Sequence, residues 1–158
     1  MTEFSALYKK YASEVFRFAL YLSGNKTDAE DITSETFVRV WTAPAPIEMK
    51  TVKGYLFTIA RNLFLQGLRK SSRQVSLSPE LSDSRPSPQM QTEHKAELRA
   101  VLARLQKLPE MDRAALLLRA LEELPYEEIA RMLGISLASA KVKVHRARLL
   151  LANVRASS

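Results

Sequence analysis

The side chains of this sequence best equipped for chemistry are cations at helical spacing. Near the C-terminus, "GISLASAKVKVHRARLLL" carries Lys141, Lys143, Arg146 and Arg148 around His145, and no acid follows Glu128. Upstream, Lys53, Arg61 and Arg69 stand in a stretch, residues 49–79, that holds no Asp or Glu. Ammonium and guanidinium groups gathered away from acids suit recognition of an anion, by charge and by donated hydrogen bonds. A third group has the opposite sign: Asp28, Glu30, Asp31 and Glu35. Asp31 and Glu35 are one helical turn apart, so their carboxylates share a face and could meet arginines of a partner helix.

Bond-making chemistry has little to stand on. The two histidines, His94 and His145, are far apart, cysteine is absent, and there is no glycine-rich phosphate loop. The acidic run lacks the Glu-x-x-His pairs that build a carboxylate metal site in a helical bundle. Neither enzymatic turnover nor a metal or other cofactor is expected.

Those charged groups need elements to hold them, and the spacing of apolar residues supplies helices. Phe4, Leu7, Tyr11, Val15, Phe18 and Leu22 recur at three and four residues, an amphipathic stripe that Gly24-Asn25 ends. Thr27 and Glu30 have the form of a capping box opening "DAEDITSETFVRVW", which should bury Ala29, Ile32, Thr36, Val40 and one side of Trp41. Two prolines in "TAPAPIEMK" break that helix, and the next runs from about Thr51 through Lys70 with Leu56, Ile59, Ala60 and Leu63 inward. Residues 71–92 are rich in Ser and Pro, show no period, and read as a flexible linker. Such a linker spans roughly 25 Å as a relaxed coil and about 75 Å fully extended.

Further helices follow. Leu98, Val101, Leu102 and Leu105 form one stripe, and Pro109 begins another with Ala114, Leu117, Leu118 and Leu121. The stretch "AKVKVHRAR" alternates like a strand, but only over Lys141 to Val144. On a helix, Leu137, Ala140, Val144, Ala147 and Leu151 make one continuous stripe, with Ser136 as its N-cap. The face away from that stripe carries Ser139, Lys143 and Arg146, with Lys141, His145 and Arg148 beside it. A preceding helix with Ile129, Ala130 and Leu133 to bury, then Gly134, completes the layout of a helix-turn-helix. In that motif the second helix enters the DNA major groove.

The fold expected is therefore all-α: two small helical domains, residues 1–70 and 93–158, joined by the linker 71–92, the second a helix-turn-helix. A net charge of +7 fits an anionic partner. The opening "MTEFSALYKKYASEV" is unlike a secretory leader, and the most apolar run, "AALLL", is too short to span a bilayer. A soluble, cytoplasmic chain with no membrane insertion is expected.

"LPEMDRAALLLRALEELPYEEIARMLGISLASAKVKVHRARLLL" resembles the C-terminal DNA-binding domain of bacterial RNA polymerase sigma factors of the extracytoplasmic-function group. "DAEDITSETFVRVW" followed by "GYLFTIARNLFLQGLRK" resembles the N-terminal domain of the same group. The resemblance implies roles. Asp31, Ile32, Ser34, Glu35, Val38 and Trp41 would bind core RNA polymerase. Lys53, Tyr55, Arg61, Asn62 and Arg69 would melt and hold the −10 element of promoter DNA, with residues 44–52 as a base pocket and Asn62 reading a flipped base. Ser139, Lys141, Val142, Lys143 and Arg146 would contact the −35 element, on base edges or on phosphates. An anti-sigma factor would be a regulatory partner.

The sequence departs from the family pattern in places. Ser34 stands where Gln is frequent, Tyr55 where Trp is frequent, and Pro125 at the usual place of a hydroxyl N-cap. Ala140 and Lys141 replace a more usual Val and Arg, which weakens bidentate readout. Two other functions use some of the same features. A stand-alone helix-turn-helix regulator would need neither the acidic helix nor the upstream basic stretch. A decoy for an anti-sigma protein would not need Lys143 and Arg146.

Overall fold

A computed structural model of the chain describes residues 3–42, 51–73 and 93–157. Within them every element is a helix: α1 (Glu3–Ser23), α2 (Lys26–Thr42), α3 (Val52–Arg73), α4 (Glu93–Gln106), α5 (Glu110–Leu116), α6 (Tyr126–Leu133) and α7 (Leu137–Ser157). The end of α5 widens into a π-helical turn, Leu117–Leu121. The fold is all-α. Residues 44–50 of the expected base pocket, and 74–92 of the expected linker, lie outside the described residues; α3 itself continues through Arg73.

The stripe read in α1 goes inward. Val15, Phe18, Ala19 and Leu22 are buried against Ala29, Ile32 and Phe37 of α2 and against Leu56, Phe57, Ala60 and Phe64 of α3. The Phe18 and Phe57 rings lie 5.0 Å apart. In α2 the inward set gains Thr33 and Phe37, while Val40 is only half-buried. The Thr33 and Thr36 hydroxyls donate back to the carbonyls of Ala29 and Ile32, each at 2.7 Å, so neither is left unpaired in the core.

The capping box expected at Thr27 and Glu30 does not form. Gly24, at φ 72°, closes α1 in the left-handed region, which leaves Asn25 as the non-helical residue before α2. The Asn25 side-chain oxygen accepts the Asp28 N–H at 2.8 Å, and Thr27 and Glu30 are exposed inside the helix.

In the C-terminal half, Ala140, Val144 and Ala147 of α7 are wholly buried, and their small size lets α7 lie close to α5 and α6. Gly134, at φ 68°, ends α6, and the Ile135 N–H returns to the Ala130 carbonyl at 3.0 Å. Ser136 Oγ then accepts the Ser139 N–H at 3.0 Å and opens α7. Helix, three-residue turn and helix follow as the residue types required.

The two halves share one continuous apolar core. Their junction also answers a local need, because the last carbonyls of α1 have no partner within their own helix. Gln106 Nε2 donates to the carbonyls of Tyr21 and Leu22 at 3.2 and 3.3 Å. Arg113 Nη1 donates to the Leu22 carbonyl at 2.7 Å, while its Nε and Nη2 reach those of Leu105 and Leu108 at 3.0 and 3.2 Å. One buried guanidinium thus ties the C-terminal ends of α1 and α4 to the start of α5.

Candidate nucleic-acid interface

Helical geometry sorts the residues of α7. Ser139, Val142, Lys143 and Arg146, at spacings of three, four and seven, fall on one face, and Val142 there is exposed. Lys141 falls elsewhere. It turns toward α6, its Nζ 6.0 Å from the centre of the Tyr126 ring, which Arg119 stacks against at 4.4 Å. The two cations left on the shared face lean toward α5. Arg146 donates Nε to Asp112 Oδ2 at 2.6 Å and Nη2 to Oδ1 at 2.9 Å, and Lys143 Nζ lies 4.0 Å from Oδ1.

Helix α3 divides its candidates in the same way. Tyr55, Asn62 and Arg69 are each seven residues apart, so they form one line along the helix. Asn62 and Arg69 are exposed and Tyr55 is half-buried. Lys53 and Arg61 lie on another face, turned to the C-terminal half. Arg61 makes a bidentate pair with Glu110, Nε to Oε2 at 2.8 Å and Nη2 to Oε1 at 2.7 Å. Lys53 Nζ sits 3.4 Å from Glu14 Oε1 and 3.6 Å from Glu122 Oε1, and donates to the Glu122 carbonyl at 3.3 Å.

Two more contacts, again with the donor on the N-terminal half, cross the junction. Arg17 Nη2 meets Glu122 at 3.2 Å, and the Thr51 hydroxyl donates to Glu128 Oε2 at 3.3 Å. The Glu122 side chain is fully buried, and burial pushes its carboxyl above the ordinary 4.5 against the pull of Arg17 and Lys53. At this junction Glu110, Glu122 and Glu128 of the C-terminal half receive donors from the N-terminal half. These three acids are not among the residues expected from the sequence. The signal was the acidic clustering of "LPEMDR" and "LEELPYEE" beside the basic α3.

In α2, Asp31, Ser34, Glu35, Val38 and Trp41 are exposed, Val38 by 51% and Trp41 by 61%. Ile32 stands deeper than they do: at 8% exposure it belongs to the core, though it still lines the cleft beside Asp31 and Glu35. Ser34, Val38 and Trp41 join Phe4, Tyr8 and Phe37 around an open groove of about 640 Å³. The Trp41 ring rests edge-on against Phe4, 4.6 Å between centres, so one side of the indole is covered as expected. On the other side of α2, Asp28, Asp31 and Glu35 border a cleft of about 350 Å³ with Leu63, Phe64 and Leu68. Burial, and then Asp31, push the Asp28 carboxyl up. An apolar groove beside a row of carboxylates suits a partner helix that carries both apolar and basic side chains.

Residues 7–74 match the family model described as Sigma-70 region 2, and residues 98–151 that described as Sigma-70, region 4. The chain is 39% identical over 153 residues to the extracytoplasmic-function RNA polymerase sigma factor SigE of Mycolicibacterium smegmatis, covering 94% of this chain and 60% of SigE. It is 35% identical over 144 residues to the corresponding factor SigM of Bacillus subtilis, covering 90% of this chain and 88% of SigM. Among solved structures it resembles the sigma factor RpoE in its co-crystal with the anti-sigma factor NepR from Bartonella quintana. That likeness has a TM-score of 0.77 at 27% identity and covers 96% of this chain and 95% of RpoE.

Proposed function

This chain belongs to the extracytoplasmic-function sigma factors of bacterial RNA polymerase, and on that premise we propose how its surfaces divide the work of starting transcription. The outer face of α2 docks on core polymerase through Asp31, Ser34, Glu35, Val38 and Trp41. The line Tyr55, Asn62 and Arg69 on α3, joined by Lys53 and Arg61, opens and holds the −10 element. Helix α7 enters the −35 major groove with Ser139, Val142, Lys143 and Arg146. Residues 1–70 and 93–158 act as the two working domains and 71–92 as their tether. The chemistry of RNA synthesis belongs to the polymerase, so this chain needs no catalytic centre, and it acts in the cytoplasm where the polymerase is. No helix among the described residues is long and apolar enough to cross a membrane.

The observation that carries this reading is the contrast between the two charged surfaces. The α2 face is open, its Val38 and Trp41 more than half exposed beside Asp31 and Glu35. The α3 cations Arg61 and Lys53 are engaged by Glu110 and Glu122. A chain in this arrangement is ready to meet polymerase and unready to grip a promoter. Binding to polymerase then draws the halves apart and frees Arg61 and Lys53 for phosphate, a task for which guanidinium and ammonium groups are suited. An anti-sigma factor is a further partner, a reading supported by the likeness to RpoE, which was solved in complex with the anti-sigma factor NepR.

The test is binding of labelled protein to purified core polymerase, with a second sample carrying Asp31→Lys and Glu35→Lys. Both residues are exposed, and the Glu35–Arg39 pair that is lost contributes only about 0.3–0.5 kcal/mol, so folding is retained. Tight binding by the unaltered chain, lost on charge reversal, is the expected result. Absence of binding by the unaltered chain would shift the function to a stand-alone DNA-binding regulator.

A further inference from the structure

Asp112 stands in the first turn of α5 and is 1% exposed. A carboxylate so buried needs compensation, and it has two sources: the positive end of the α5 dipole and the guanidinium of Arg146. Arg146 approaches from α7 with its Nε and Nη2 edge, while half of its side chain stays in solvent. A guanidinium carries five N–H donors in a rigid plane. Two are spent on Asp112. Both hydrogens of Nη1 and one of Nη2 remain, and one from each forms a second fork at the tip of the side chain.

We propose that Asp112 is a positioning residue for −35 recognition: it anchors Arg146 by its Nε and Nη2 edge so that the adjoining terminal edge, Nη1 and Nη2, is presented to DNA. The proposal rests on the reading of α7 as the DNA-facing helix. Its ligand is a pair of acceptors at fork spacing, which promoter DNA offers either as guanine O6 and N7 or as two phosphate oxygens. The buried, immobile Asp112 removes in the free protein the rotamer freedom that a long side chain otherwise loses on binding. Lys143, 4.0 Å from the same carboxylate, leaves the trio with one net positive charge. Small residues make the arrangement possible, because Ala140 and Ala147 bring α7 close enough to α5 for Arg146 to reach back.

The charge arithmetic gives a sharp test. Asp112→Asn raises the net charge by one, so simple electrostatics makes the variant bind DNA more tightly, whereas loss of positioning makes it bind more weakly. Holoenzyme reconstituted with the full chain would first select duplexes from a library randomised at −35. Affinities for those duplexes and their single-base variants would then be measured for Arg146→Gln, Asp112→Asn and the double variant. Each single change is expected to weaken binding roughly tenfold, with the double no weaker than Arg146→Gln alone. Discrimination relaxed at the same one base pair in both single variants identifies a guanine. A uniform loss, with the salt dependence of Arg146→Gln shallower by about one charge, identifies phosphate.

Unchanged binding by Arg146→Gln would remove Arg146 from the α7 interface and the proposal with it. Weakened Arg146→Gln beside unchanged or tighter Asp112→Asn would overturn positioning and leave the DNA-facing reading of α7 in place. So would losses that add in the double variant. Should Asp112→Asn fail to fold, Arg146→Lys decides: it keeps the cation for Asp112 but has no fork. Binding as weak as that of Arg146→Gln supports the presented edge, and wild-type affinity overturns it.

Discussion

At Glu122 the fold encloses a carboxylate completely and surrounds it with Arg17, Lys53 and Glu14. Burial outweighs the two cations, so the folded chain holds this proton at pH values where the unfolded chain, near 4.5, has released it. The folded state then binds more protons in that window, and stability falls as pH rises from 4.5 through the raised value. Glu122→Gln removes the effect. The difference in unfolding free energy between variant and wild type should move in the variant's favour over that window and then level off. Chemical denaturation at several pH values measures it, and a difference moving the other way would mean that the ion pairs dominate. Arg113 is the opposite case, a buried cation whose three carbonyl partners are all backbone. Arg113→Met should cost roughly 2–4 kcal/mol: three hydrogen bonds from a charged group are lost, partly offset by relief of the buried charge and by the donors that Leu22 and Leu105 keep in Gln106 and the Leu108 N–H. In the sequence Arg113 and Arg61 are both arginines in helical runs; only position separates a clasp on backbone carbonyls from an ion pair between the halves.

Among the elements, α7 and α2 show what local rules settle and what they leave open. The Ser136 hydroxyl caps α7 with an exposed hydrogen bond, so Ser136→Ala should lower stability by about 1 kcal/mol and fray the helix start. Urea unfolding reads the first effect, and hydrogen exchange at Leu137 to Ala140 the second. In α2, Trp41 touches Phe4 yet is mostly solvent-facing. Trp41→Ala is expected to shift stability by less than about 1 kcal/mol while weakening polymerase binding tenfold or more. Equal retention of binding would place the docking face elsewhere on the domain. The stripe of α7 and its cap were legible because both depend on neighbours within a few residues. The cap of α2 differs from the expected Thr27 for a reason just as local: Gly24 turns the chain two residues earlier than a Thr27 cap requires, and Asn25 takes the position.

For the whole molecule, the decisive feature is a junction in which carboxylates of one half receive cations of the other. The Arg61–Glu110 pair is bidentate and largely shielded, 13% and 20% exposed at the side chains. Glu110→Lys sets two cations face to face there and should cost roughly 3 kcal/mol of the closed arrangement. X-ray scattering should show a larger radius of gyration, and salt-sensitive binding to non-specific DNA should strengthen as Arg61 is freed. Unchanged scattering would show that the shared apolar core, and not the ion pairs, keeps the halves together. Gly54 offers an independent probe, since a Cβ there would run into the Glu128 carboxylate that also receives Thr51. Gly54→Ala should therefore loosen the α3–α6 contact without altering any charge.

The sequence by itself determined that the chain is helical, where α6 turns into α7, to which family the two halves are similar, and most positions of the buried stripes, though Leu98 and Leu137 at the starts of theirs stand 36% and 39% exposed. Each rests on periodicity, caps or motif spacing, and such signals act over a turn or two of chain. The α2 face came from the resemblance to the family rather than from periodicity, and packing sets Ile32 deeper than the rest of it. Tertiary structure alone decided which cations stand engaged. Glu110 is 49 residues from Arg61, and Asp112 is 34 from Arg146. A carboxylate brought from that distance has no periodic signature. Its effect depends on burial and on a few ångströms of approach, which exist only after the helices have packed.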